Sequence, residues 1–311
     1  MAVTIWRYLL VDRIGITGTI VGEKLYKHLY GQFSTMEQEE KNLLPGGRII
    51  RRPAKYSVRL DYYPEYSWKK AGRRKIVDLT LGAYKIPGKK SGGRYITLTL
   101  YPSQFRGEEF ADFKSTFNAL FDPITYPLLY QTGRVNYLEL AVDSHTHKHH
   151  GFLPYRKYCT QSSIFKEKSG HLGSTYIGSV TSSLRFRVYD KFKQLTDTGK
   201  PVVAKGLPHT RIEVVMRRLG IPPAKIVEIE KNPFKPLMIA DLQLAISAGS
   251  ETDWQMFIKD CLTDGAPSAL AKRPMNIRKK YLQMLDSLQV LWWKPDDAWK
   301  DLPRAVAAIA P

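Results

Sequence analysis

Leu184-Arg-Phe-Arg-Val-Tyr-Asp-Lys191 alternates apolar and polar residues. On a strand that period sends Leu184, Phe186 and Val188 to one face and Arg185, Arg187, Tyr189 and Lys191 to the other. The apolar face asks for a core beneath it, so the segment is expected in a half-buried sheet. The polar face crowds three cations round one phenol. Guanidinium and ammonium groups hold phosphate oxygens through charge-assisted hydrogen bonds, so such a phenol suits a phosphodiester better than it suits plain solvent. Tyr189 is therefore a candidate nucleophile, with Arg185, Arg187 and Lys191 beside it.

Two further strands bear on the same face. Val135-Asn-Tyr-Leu-Glu-Leu-Ala-Val-Asp143 is an apolar strand interrupted by Glu139 and Asp143, which face the same way. In Thr210-Arg-Ile-Glu-Val-Val-Met-Arg217, Arg211, Glu213 and Arg217 project together from a second apolar strand. A carboxylate inside a central strand is costly unless its charge is compensated. Ion pairing between the two strands is one answer. The other is a hard divalent cation, Mg²⁺ or Mn²⁺, which takes carboxylate oxygens and shares its remaining positions with water and phosphate. On that second reading Glu139, Asp143 and Glu213 are the candidate ligands. His145 and His147, two residues apart just after Asp143, are secondary candidates, set against a solvent-exposed loop leading to Gly151 and Pro154.

The remaining pattern predicts an α+β fold. Tyr56–Asp61, Lys75–Leu81 and Arg94–Tyr101 read as strands of a mainly antiparallel sheet. Phe110, Phe113, Phe117, Leu120 and Phe121 fall at helical spacing, which predicts an amphipathic helix over Glu108–Phe121 packed on that sheet. After Pro222 the spacing turns helical, with segments at Asp241–Ile246, Trp254–Leu262 and Ile277–Leu291. Two regions are expected: residues 1–220 around the sheet and a helical C-terminal region, 221–311.

Of the 311 residues 43% are apolar, enough for a substantial core, and 48 Lys and Arg outweigh 29 Asp and Glu for a net charge of +19. Such a field attracts polyanions, with nucleic acid foremost. Basic clusters at Arg48–Arg52, Lys69–Lys75 and Lys85–Lys90 are either solvated loops or, with Tyr62, Tyr63, Tyr66 and Trp68, phosphate contacts beside base-stacking rings. Lys272, Arg273, Arg278, Lys279 and Lys280 give the C-terminal region a basic edge, an ordinary polar face or a contact for duplex DNA. Cys159 and Cys261 offer no C-x-x-C pair, hence neither a disulfide framework nor a thiolate metal site. No run reads as a bilayer span, no membrane partner is expected, and reducing cytoplasm is the expected compartment. A Walker-type glycine loop is lacking, which argues against ATP-driven work.

The order of these segments resembles a family. Val135–Asp143, then Ser174-Thr-Tyr-Ile-Gly-Ser179 leading through Ser182 and Ser183 into Arg185–Lys191, then Thr210-Arg-Ile-Glu213, is similar to the trans-acting Rep family of rolling-circle replication initiators from plasmids, with relatives in filamentous phages. The likeness covers about residues 94–218 and rests on the spacing of three ordered motifs. It departs from the family in having Glu139 where an Asp stands and Tyr137 where a basic residue precedes it.

The resemblance implies a nicking and joining endonuclease on a sheet core related to the His-hydrophobic-His class, needing Mg²⁺ or Mn²⁺ and no nucleotide cofactor. Tyr189 maps onto the family's nucleophile, and Glu139, Asp143 and Glu213 onto its acids. The implied reaction leaves a 5′-phosphotyrosyl enzyme and a 3′-hydroxyl, and a later hydroxyl reverses it to rejoin the strand. Implied partners are origin DNA, single-stranded at the nick and duplex for recognition, with the host helicase and polymerase in a bacterial cytoplasm; a homodimer is one possible assembly. Tyr176 competes as nucleophile but lacks the alternating cations. A conjugative relaxase would share the chemistry and a basic DNA-binding regulator would share the charge. A tyrosine recombinase is disfavoured because His209 and Arg211 follow Tyr189.

Overall fold

The computed structural model describes residues 6–38, 47–54, 57–63, 75–84, 93–166, 172–197 and 209–311. Its strands are β1 (Trp6–Thr19), β2 (Gly47–Ala54), β3 (Ser57–Tyr63), β4 (Val77–Tyr84), β5 (Gly93–Leu100), β6 (Arg134–Ser144), β7 (Phe152–Arg156), β8 (Ser162–Lys166), β9 (Leu172–Ile177), β10 (Leu184–Asp190), β11 (Thr210–Arg217) and β12 (Leu237–Asp241). Its helices are α1 (Glu23–Gln38), α2 (Glu109–Phe121), α3 (Tyr126–Thr132), α4 (Lys191–Asp197), α5 (Leu242–Ser247), α6 (Thr252–Asp264), α7 (Ala266–Ala271), α8 (Met275–Ser287), α9 (Pro295–Trp299) and α10 (Leu302–Ala307). The fold is α+β. The main sheet runs β2-β3-β4-β5-β1-β6-β11-β10-β9-β8, and β12 pairs with β7 apart from it. Runs β2 to β5, β5 with β1, and β11 to β8 are antiparallel.

Contacts divide the chain into two interleaved units. One comprises Met1–Leu10, Leu140–Met216 and Glu230–Arg304; the other comprises Val11–Glu139, Arg217–Ile229 and Ala305–Pro311. In the first, α6 and α7 pack on β8, and α7 also on β7.

In the unit holding α2, the predicted phenylalanine stripe is core. Phe113, Phe117 and Phe121 are buried, and the Phe121 ring lies 5.4 Å from that of Phe33 on α1. Thr125 caps α3 by accepting from the Leu128 amide, and Tyr126 Oη donates to the Ile309 carbonyl at 2.5 Å, pinning the chain end. Burial of apolar side chains supplies most of the stabilisation here.

The other unit has its own core, built from β7, β12 and the C-terminal helices around Tyr155, Trp254, Phe257, Tyr281 and Leu285. Trp254 Nε1 donates to the Ala245 carbonyl at 2.8 Å, satisfying the indole where no water reaches it. Strand β12 was not expected among the helices. Its run Leu237-Met-Ile-Ala-Asp241 is too short for periodicity to separate strand from helix, and pairing with β7 decides the matter. Tyr62, Tyr63 and Arg48–Arg52 fall in β3 and β2, whereas Tyr66, Trp68 and residues 69–74 and 85–90 of the other basic clusters lie outside the described residues.

Candidate active site

Register puts the candidate residues together. On β10, Arg187 stands opposite Glu213 of β11 and Tyr176 of β9, and Tyr189 stands opposite Arg211 and Ser174. Directly opposed residues share a face, so these six form one polar surface while Phe186, Val188, Ile212, Val214 and Ile177 are buried on the other. Gly178, at φ 96°, ends β9; that left-handed conformation strains any side-chain-bearing residue, so the turn toward β10 requires glycine.

Tyr189 is only 3% exposed. Its hydroxyl donates to Glu213 Oε1 at 2.6 Å, and Arg187 Nη2 donates to the same phenolic oxygen at 3.2 Å while lying 2.5 Å from Glu213 Oε2. Lys191 Nζ approaches that oxygen to 3.4 Å from the first residue of α4, not from the strand as the alternation predicted. Arg185 departs further: its guanidinium lies 4.5 Å over the Tyr176 ring. Burial first, then the Glu213 charge, raises the Tyr189 pKa far above a normal phenol, and Arg211 and Arg187 pull the other way without prevailing. The resting phenol is thus protonated and already hydrogen-bonded to a carboxylate.

Asp143 follows the ion-pair reading. Its two oxygens accept from Arg211 Nε and Nη2, each at 2.7 Å, and His209 Nε2 lies 3.2 Å from Oδ1. Burial pushes this carboxyl up, but hydrogen bonds and charge from Arg211 and His209 carry it well below the usual range. Glu139 and Glu213, the other two acids expected to hold the ion, are buried as well.

Strand β1 was not recognised from the sequence; along it Leu9, Val11, Ile14 and Ile16 are buried, and Asp12 and Arg13 are partly exposed. Ser103 Oγ donates to Asp12 Oδ1 at 2.5 Å, and Tyr137 Oη donates to Glu139 Oε2 at 2.7 Å. The Tyr137 ring is flanked by the guanidinium groups of Arg13 at 4.6 Å and Arg217 at 5.4 Å.

His147 stacks on Trp292 at 4.3 Å, with Ser144 Oγ and Thr146 Oγ1 at 3.0 and 2.8 Å from Nδ1, and burial lowers its pKa. The His145 ring lies 4.3 Å from that of His209. Much of the C-terminal basic edge is engaged within the chain: Lys272 with Asp264, Arg273 with Asp260, Lys280 with Glu251, and Arg278 with the carbonyls of Leu270 and Ala271. Among the described residues no helix is long and apolar enough to cross a membrane.

No protein-family model matches the chain, and no curated protein matches it. Among solved structures it is similar to the rolling circle replication initiator protein from Geobacillus stearothermophilus, with 12% identity and a TM-score of 0.39 over 81% of this chain and 96% of that one. So remote a likeness carries no weight in assigning chemistry, and the functional reading rests on the residues themselves.

Proposed function

We propose that this chain is a rolling-circle replication initiator that nicks one strand of origin DNA through Tyr189 and later rejoins it. The observation that carries the reading is the phenolic oxygen of Tyr189 held 2.6 Å from a buried carboxylate, with Arg187 and Lys191 on the same oxygen. The order of motifs from Val135 to Glu213 supports it, because it resembles trans-acting Rep initiators.

The chemistry follows from the side chains. A protonated phenol is a poor nucleophile until a base takes its proton. Glu213 is that base. As the Tyr189 oxygen bonds to phosphorus, its proton passes to Glu213, and the bond from phosphorus to the 3′ oxygen breaks, that oxygen taking up a proton to leave as a hydroxyl. Arg187 and Lys191 neutralise the phosphate on approach and stabilise charge that builds on its oxygens. Because the 5′-phosphotyrosyl link keeps the phosphodiester energy, a 3′-hydroxyl can reverse the step and close the strand.

The Glu213 carboxylate offers hard oxygens that fit Mg²⁺ or Mn²⁺. Bound there, the ion would polarise a non-bridging phosphate oxygen. The partners in this reading are origin DNA, single-stranded at the nick and duplex where it is recognised, and the host helicase and polymerase, which uses the 3′-hydroxyl, in a bacterial cytoplasm. Nicking belongs to residues 1–220, and the helical 221–311 contributes to duplex recognition; the active assembly is a homodimer or a monomer.

The test is a denaturing gel of protein incubated with Mg²⁺ and supercoiled origin DNA or an origin oligonucleotide. Wild type is expected to give a covalent adduct that Tyr189→Phe loses. An adduct undiminished in Tyr189→Phe would remove the nucleophile assignment.

A further inference from the structure

A pocket of about 260 Å³ opens beside the Tyr189 phenol, its walls including Phe165, Tyr176, Lys166, Arg187 and Lys193, with the carboxylates of Asp190 and Asp197 also on its lining. Its volume falls just below the ~300–1,000 Å³ of sites that enclose a drug-sized ligand, which leaves room for one flat ring system. The two aromatics meet edge to face at 5.3 Å, yet Phe165 on β8 remains 60% exposed, so packing on Tyr176 recovers little of its apolar surface. Arg185 lies 4.5 Å over Tyr176, adding a planar cation to the stack. Aromatic and guanidinium planes beside basic groups are the elements with which proteins hold unpaired bases and their phosphates.

We propose that this pocket is a base subsite: it receives one unpaired nucleobase, from the nucleotide next to the phosphate attacked by Tyr189, stacked on one ring of the Tyr176–Phe165 pair and edge-on to the other, with Lys166 and Arg187 toward the backbone. The proposal rests on the Tyr189 reading for the position of that phosphate. A base inside a duplex is already stacked and paired and cannot enter, so the subsite restricts attack to melted DNA. Stacking accepts any base, so Tyr176 and Phe165 select strandedness and leave sequence to other contacts.

Binding of a fluorescent oligothymidylate, followed by anisotropy at fixed salt, tests this. Tyr176→Ala and Phe165→Ala are each expected to weaken it about tenfold, with Tyr176→Phe close to wild type. The slope of affinity against salt should stay unchanged, because phosphate contacts remain, and affinity for a duplex of equal length should hold. Phe165→Ala removes a largely exposed ring, so it reads out binding even if Tyr176→Ala fails to fold. Oligothymidylate affinity unchanged in Phe165→Ala and in any folded Tyr176→Ala protein, or single-strand and duplex affinity falling together, overturns the subsite. The Tyr189 adduct assay separates the two readings. Adduct formation with normal binding by the aromatic variants removes the subsite alone, whereas base-dependent binding without an adduct keeps the subsite and removes the nickase.

Discussion

Replacing Glu213 with Gln changes one atom and one charge at the centre of the proposed site. Glu213 is fully buried, accepts the Tyr189 hydroxyl on Oε1 and faces Arg187 on Oε2. In Glu213→Gln the amide oxygen can accept from the phenol or from Arg187 but not both, and its NH₂ then opposes the remaining donor, so the side chain shifts locally. Arg187 loses a charged partner 2.5 Å away, but its side chain is 27% exposed and water recovers part of the interaction. A charge-assisted hydrogen bond contributes about 1.5–3 kcal/mol, so a stability loss of about 1–2 kcal/mol is expected, a fall of a few degrees in Tm. Cleavage should suffer far more. Removing a general base costs about 10²–10⁴-fold, equivalent to about 3–5 kcal/mol of barrier, and the variant also loses carboxylate oxygens for the metal. Adduct formation on a gel, DNA binding by anisotropy and a thermal melt separate these effects. Cleavage should collapse while salt-sensitive binding persists. Cleavage within a few-fold of wild type would show that Glu213 takes no proton, and binding that declines in step with cleavage would make it a structural residue.

Asp143→Asn should destabilise the fold by about 3–5 kcal/mol, because Arg211, 5% exposed, would be left buried without its anionic partner; denaturant unfolding checks this. The Asp143 pKa is depressed in the folded state, so its contribution is present above the unfolded value of about 3.9 and lost as pH falls toward the folded one. Wild-type melts should therefore weaken more steeply than those of Asp143→Asn as pH drops below about 4. Phe257→Ala, emptying a place between Trp254 and Tyr281, should cost about 3–5 kcal/mol in urea unfolding; a loss under about 1 kcal/mol would mean that core closes over the gap.

Period-two alternation in Leu184–Asp190 and period-3.6 spacing in Phe110–Phe121 were legible because local geometry writes them directly into the residue order. The residues β10 brings to one face, and the acids at Glu139 and Glu213, could be named for the same reason. Which acid met which partner could not. Asp143 and Glu139 look alike in the chain, yet Asp143 pairs with Arg211 while Glu139 accepts from Tyr137. Arg185 and Lys191 diverge likewise, one lying over Tyr176 and the other carried on the first turn of α4. Alternation tells a side chain which face to take, and strand register tells it whom it will meet there; register is set by contacts between distant segments.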